Sequence, residues 1–145
     1  MTEPEAIPPA LLDTDIFSEF LRGRNRIVAA RAAAYQQVHQ RFSIGAITLM
    51  EVCSGWCRRG QQERIDAILQ LVLGWTILAV TADIASLAGR IDGDLIRIGQ
   101  AIGIADALIA ATAINQDLVL VTGNTAHYQR LHAIGYAIRL DDWRQ

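Results

Sequence analysis

Ala10-Leu11-Leu12-Asp13-Thr14-Asp15-Ile16-Phe17 is the stretch on which the reading of this chain turns. Three apolar residues stop at an aspartate, and Ile16, Phe17, Phe20 and Leu21 then recur at helical spacing. That pattern is a buried strand, a sharp turn and an amphipathic helix, with Gly23 ending the helix. Working outward, the spacing predicts a helix over 24–41 with Ile27, Ala30, Ala34 and Val38 as its apolar face, then a buried strand over 42–47. Thr48 is expected to cap a helix running to 59, followed by a helix over 61–73 and a strand over 75–80. Helices over 83–100 and 104–115, a strand over 118–121, a short helix over 125–132 and a strand over 136–140 complete the series. Short apolar strands alternating with helices indicate an α/β fold whose parallel sheet, of about five strands, is covered on both faces. Residues 1–9 read as a flexible lead-in and 10–145 as one domain.

The 145 residues are 52% hydrophobic, enough to bury a core without staples. All 13 basic residues are arginine. The absence of lysine excludes a P-loop, a Schiff base and a Ser-Lys dyad. A net charge of −2 argues against coating nucleic acid by charge alone, so positive charge at any RNA site must come partly from divalent cations. The start of the chain lacks the basic and apolar runs of a secretory signal. The most apolar stretch, 101–114, is broken by Asp106 and too short to span a bilayer, so a cytoplasmic protein is expected. Cys53 and Cys57, four apart in a helix, are read as half-buried thiols rather than a disulfide or a zinc site.

In open parallel sheets, ligands bind at the carboxyl ends of the strands. Asp13 lies there, Glu51 lies about a turn beyond another strand, and Asp106 opens the very apolar helix Gly103-Ile104-Ala105-Asp106-Ala107-Leu108-Ile109-Ala110-Ala111-Thr112-Ala113. Each acid also has a plainer role. Asp106 suits a helix N-terminus, Glu51 completes a capping box with Thr48, and Asp13 and Asp15 suit capping. Crowded together, carboxylates repel, and a divalent cation relieves the repulsion. Mg²⁺ and Mn²⁺ prefer such oxygen ligands and can activate a water against phosphorus. Asp15 is then placed to orient its neighbours by hydrogen bonding.

Leu11-Leu12-Asp13-Thr14-Asp15-Ile16 and Ile47-Thr48-Leu49-Met50-Glu51 resemble the first two acidic motifs of the PIN-domain ribonucleases. The segments Ile102 through Ala113 and Leu120-Val121-Thr122-Gly123-Asn124-Thr125-Ala126-His127-Tyr128 resemble the third and fourth. The resemblance runs over 11–143 and is nearest to the VapC-type toxins of bacterial toxin–antitoxin pairs. It implies a three-layer α/β/α fold and Mg²⁺- or Mn²⁺-dependent endonucleolytic cleavage of a structured RNA, such as tRNA or ribosomal RNA. It further implies a homodimer and a cognate antitoxin protein that obstructs the acidic pocket. Carried over, Asp13, Glu51 and Asp106 become the catalytic, metal-binding acids, with Thr122 and Asp15 supporting them. The fourth position, an aspartate in many relatives, is Asn124 here, which offers a carbonyl oxygen but no charge and leaves a one-ion or two-ion centre open. Asp117 precedes its strand and belongs at the wrong end of the sheet.

Arg22 is the candidate for gripping substrate phosphate, against a plainer role as a solvated arginine. His127 is a candidate for touching RNA or the metal's water, against simple packing beside Tyr128. Apolar residues around Trp56, Leu71, Leu73 and Trp75 are candidates for partner contact. Two rivals stay in view. One is a degenerate PIN fold that binds without cutting, suggested by Asn124. The other is a haloacid-dehalogenase-type phosphatase, which shares Asp-x-Asp but wants threonine or valine where Phe17 stands, and a lysine this chain lacks.

Overall fold

The computed structural model describes residues 6–145. Among them, five strands and seven helices follow one another as β1 (Ala10–Leu12), α1 (Thr14–Arg22), α2 (Arg26–His39), β2 (Ser43–Gly45), α3 (Ala46–Arg58), α4 (Gln62–Leu71), β3 (Thr76–Leu78), α5 (Ala82–Arg97), α6 (Ile104–Asn115), β4 (Val119–Val121), α7 (Thr125–Tyr128) and β5 (Leu140–Asp141). All neighbouring strands are parallel, in the order β3-β2-β1-β4-β5. Successive strand residues point to opposite faces. Ala10, Leu12, Val119 and Val121 therefore enter one buried cluster with residues of α1 to α4. Leu11 and Leu120 enter a second, with residues of α5 to α7. The result is a three-layer α/β/α sandwich. Its strand order reverses between β1 and β4, and that crevice is where such sheets take ligands.

Part of the expected lead-in, 1–5, lies outside the described residues. From Ile7 the chain is tied down: Ile7 packs against the first cluster and its carbonyl bonds the His39 ring at 2.7 Å.

Helix α2 turns the opposite way from the sequence expectation. Ile27 and Val38 are 49% and 56% exposed, Ala30 and Ala34 are exposed too, and Val28, Ala32 and Tyr35 form the buried face. The helix is alanine-rich enough to carry two apolar stripes, and the aromatic ring decides between them. Tyr35 packs against Phe42 and Trp143, and its hydroxyl accepts the Ala10 N–H at 2.9 Å. Tyr35→Phe is therefore expected to cost about 1–3 kcal/mol by orphaning that buried N–H. Val38→Ser should stay within about 0.5 kcal/mol. Urea unfolding of both variants measures the contrast.

Other departures have local causes. Gly45 ends β2 and caps α3 directly, so Thr48 lies inside the helix and the capping box with Glu51 does not form. Strand β5 begins at Leu140 rather than 136, because the backbone of 136–138 is held by the preceding 3-10 turn: Tyr136 N bonds Leu131 O, and the His132 ring bonds Ile138 O. Trp75 is half-buried, packed against Phe17, Phe20 and Phe42. Leu71 and Leu73 are exposed, as is Cys57, whereas Cys53 is half-buried. Among the described residues, no helix is long and apolar enough to cross a membrane.

Candidate active site

Asp13 follows β1 directly. Its backbone N–H donates to Val121 O at 2.8 Å, which fixes the residue beside the end of β4. Its side chain caps α1 by accepting from Thr14 N, and the other carboxylate oxygen accepts from the Thr122 hydroxyl at 2.8 Å. Thr122, fully buried, accepts in turn from Asn124 N at 3.0 Å. Asp15 accepts from Ile16 N and reaches across to Gly123 N at 2.9 Å. The two acids of Asp-Thr-Asp thus clasp the loop after β4, so capping and site-building are done by the same side chains.

Asp106 comes from the other layer. Gly103 holds φ at 96°, a value that favours glycine, and turns the chain from Ile102 into the first turn of α6. There the Asp106 carboxylate lies 3.0 Å from His127 Nε2, which also lies 3.1 Å from Ile102 O. Both partners are acceptors, so Nε2 carries the hydrogen. His127 is thereby a fastening for Asp106 rather than mere packing, although its ring does meet Tyr128 edge-on at 5.7 Å.

Asp13 and Asp106 feel each other. Burial first, then the charges of Asp15 and Asp106, push the Asp13 carboxyl up from 3.8 to about 6, against the hydrogen bonds from Thr122 and Thr14. Burial also raises Asp15, opposed by the Gly123 and Ile16 N–H groups and by Arg144. Near enough to feel the charges of both Asp13 and Asp106 lies a residue that sequence reasoning missed. Tyr128 is 1% exposed, and its hydroxyl makes no hydrogen bond of normal geometry. Burial, then the charges of Asp13 and Asp106, hold its phenol well above the ordinary range. The available signal was its place next to His127 in the one-turn helix after β4.

Among the described residues, Glu51 makes no hydrogen bond with Asp13 or Asp106; it is tied to Thr14. Its carboxylate accepts the Thr14 hydroxyl at 2.7 Å, so Thr14, having spent its proton, accepts from Thr48 at 3.1 Å. Among the described residues, no three His, Cys, Asp or Glu side chains are arranged to hold one ion as they stand. The Asp13–Asp106 pair nevertheless suits a hard cation. Mg²⁺ is commonly held by one or two carboxylates while keeping waters, and the negative charge that raises both the Asp13 carboxyl and the Tyr128 phenol fits a positive charge at this place. Asn124 is exposed, and only its backbone N–H joins the network. Asp117 lies before β4, paired with Arg139.

Beside Thr14 and Glu51 opens a groove of about 640 Å³ between α1, α3 and α4. Arg22, Arg24, Arg59 and Arg64 line it, the last two with their guanidinium carbons 5.2 Å from the Trp56 ring centre. Arg22 is 60% exposed and only loosely paired with Glu19, at 3.8 Å.

The PIN domain family matches residues 10–131. The tRNA(fMet)-specific endonuclease VapC of Shigella flexneri is 29% identical over 92% of this chain and 96% of its own. Ribonuclease VapC19 of Mycobacterium tuberculosis is 33% identical over 81% of this chain and 90% of its own. A DNA-bound VapBC from Salmonella typhimurium superposes with a TM-score of 0.78 at 28% identity, covering 94% of this chain and 99% of that one.

Proposed function

The chain belongs to the PIN domain family, and from that premise we propose that it is a metal-dependent endoribonuclease, the toxin of a toxin–antitoxin pair, which hydrolyses phosphodiester bonds in structured RNA such as tRNA or ribosomal RNA. The observation that supports the reading is Asp13, buried at the end of β1 in the crevice where the strand order reverses, with the charge of Asp106 near enough to raise its carboxyl. Mg²⁺ or Mn²⁺ bound there would polarise the phosphate and make water a better nucleophile. Asp13 and Asp106 hold the ion, and Asn124 offers a weaker, neutral oxygen. Thr122 and Asp15 fix Asp13 and the loop after β4, and His127 fixes Asp106.

Glu51 stands where the carboxylate cluster meets the groove, available as a further ligand or as a base once Thr14 releases it. The groove arginines grip the RNA backbone, since guanidinium forks match phosphate oxygens. Four such residues in one groove of a chain with net charge −2 give locally what the whole molecule lacks. A cognate antitoxin and a homodimer belong to the same proposal, the antitoxin supported by the likeness to a VapBC structure.

Purified protein should cut RNA in Mn²⁺ or Mg²⁺ and stop in EDTA. Uncut RNA under both ions, with binding intact, would overturn the reading in favour of a degenerate binding protein. Replacing Arg59 and Arg64 together by alanine should weaken RNA binding and flatten its dependence on salt by about one unit of log–log slope per lost contact, as read by titrating labelled RNA at several salt concentrations.

A further inference from the structure

We propose that Tyr128 is a positioning residue for the metal centre, its hydroxyl, unpartnered in the metal-free protein, placed to hold Asp106 once the ion is bound, as His127 already holds it. This rests on the metal-centre reading above. A buried O–H with no partner is a cost that phenylalanine, otherwise the same shape, would not incur. Two carboxylates, Asp13 and Asp106, act on the hydroxyl, which has one proton to give. Asp13 has a donor on each oxygen, Thr14 N on one and Thr122 on the other. Asp106 has His127 on Oδ2, and among the described residues Oδ1 carries no hydrogen bond. Oδ1 of Asp106 is therefore the open acceptor. His127 and Tyr128 are consecutive in α7, so one short element sets that carboxylate from two sides.

Supporting hydrogen bonds of this kind change metal affinity rather than the fold. Tyr128→Phe is expected to weaken Mn²⁺ binding about 10–100-fold, read without RNA from the electron paramagnetic resonance signal of free Mn²⁺. The melting temperature of the metal-free variant should equal or exceed the parent's, because an unpaired hydroxyl has been removed. Mn²⁺ affinity within about twofold of the parent's, on a scale where such bonds count for at least tenfold, would overturn the inference. So would a loss of affinity accompanied by a lower melting temperature, which is what a purely structural hydroxyl predicts. Asp13→Asn separates the two levels. If the parent binds Mn²⁺, Asp13→Asn does not, and Tyr128→Phe matches the parent, only the role of Tyr128 falls. If the parent itself fails to bind, or Asp13→Asn binds as well as the parent, the metal centre falls with it.

Discussion

Asp13→Asn is expected to lower RNA cleavage by about 10³-fold or more while raising the stability of the metal-free protein near neutral pH by about 1–3 kcal/mol. The two effects have one cause. Asp13 is 5% exposed, and its carboxyl, pushed up to about 6, is held ionised at neutral pH against burial and two neighbouring acids. Asparagine keeps the shape and still accepts from Thr14 N, being a good N-cap. It removes the charge and with it the penalty. It also deprives the Thr122 hydroxyl of its acceptor, which is why the gain falls short of the full penalty. Asp106→Asn is the informative companion. Its side chain is 31% exposed, so cleavage should be lost with little gain in stability. Cleavage rates in Mn²⁺ and urea unfolding in EDTA measure both quantities. Parental cleavage by either variant would move the chemistry elsewhere. An Asp13→Asn protein less stable than its parent would show that the charge is already compensated.

Much of the architecture could be read along the chain because its signals are local. The apolar run 10–12 ends where Asp13 caps α1, and five strands follow in the expected order, the last displaced to Leu140–Asp141. Local signals fail where two readings satisfy the same pattern. In α2 the stripes 27/30/34/38 and 28/32/35 are both apolar, and only the partners of Tyr35, drawn from β1 and from the chain's end, break the tie. Thr48 and Glu51 have the spacing of a capping box, but β2 passes into α3 without a loop, and a cap needs a residue outside the helix.

The candidate site divides along the same line. The acids Asp13, Glu51 and Asp106 stand out by residue type, whereas their mutual arrangement is a property of strand order. Asp106 comes near enough for its charge to act on Asp13 because β4 lies beside β1 and α6 leads into β4. Thr14 reads as a spacer between two acids, yet its hydroxyl is the link to Glu51. Tyr128 reads as packing, because nothing in a sequence reveals that a tyrosine oxygen will be buried without a partner. The phosphatase reading, already short of a lysine, has no support from the family match.

Without divalent metal, the protein should lose about 3 kcal/mol of stability between about pH 4 and pH 7 through Asp13 alone, and saturating Mn²⁺ should restore it. The sign follows from the direction of the shift. The folded carboxyl titrates at about 6 and the unfolded one at 3.8. Below the lower value both states are protonated, and Asp13 costs nothing. Between the two the folded state binds the proton more tightly, so stability falls as pH rises. Above the upper value both are ionised and the whole penalty is present. Asp15, also raised by burial, adds in the same direction. A cation that binds only the folded protein offsets the penalty where the carboxylates are charged, so its benefit should grow with pH over the same window. Other groups titrate here too, and subtracting the Asp13→Asn curve from the parent's removes them. The difference, read by urea unfolding in EDTA, should widen between about pH 4 and pH 7 and level off above. A difference that stays flat would mean that Asp13 ionises in the fold as easily as in the open chain. Nothing in the hollow would then draw a doubly charged ion.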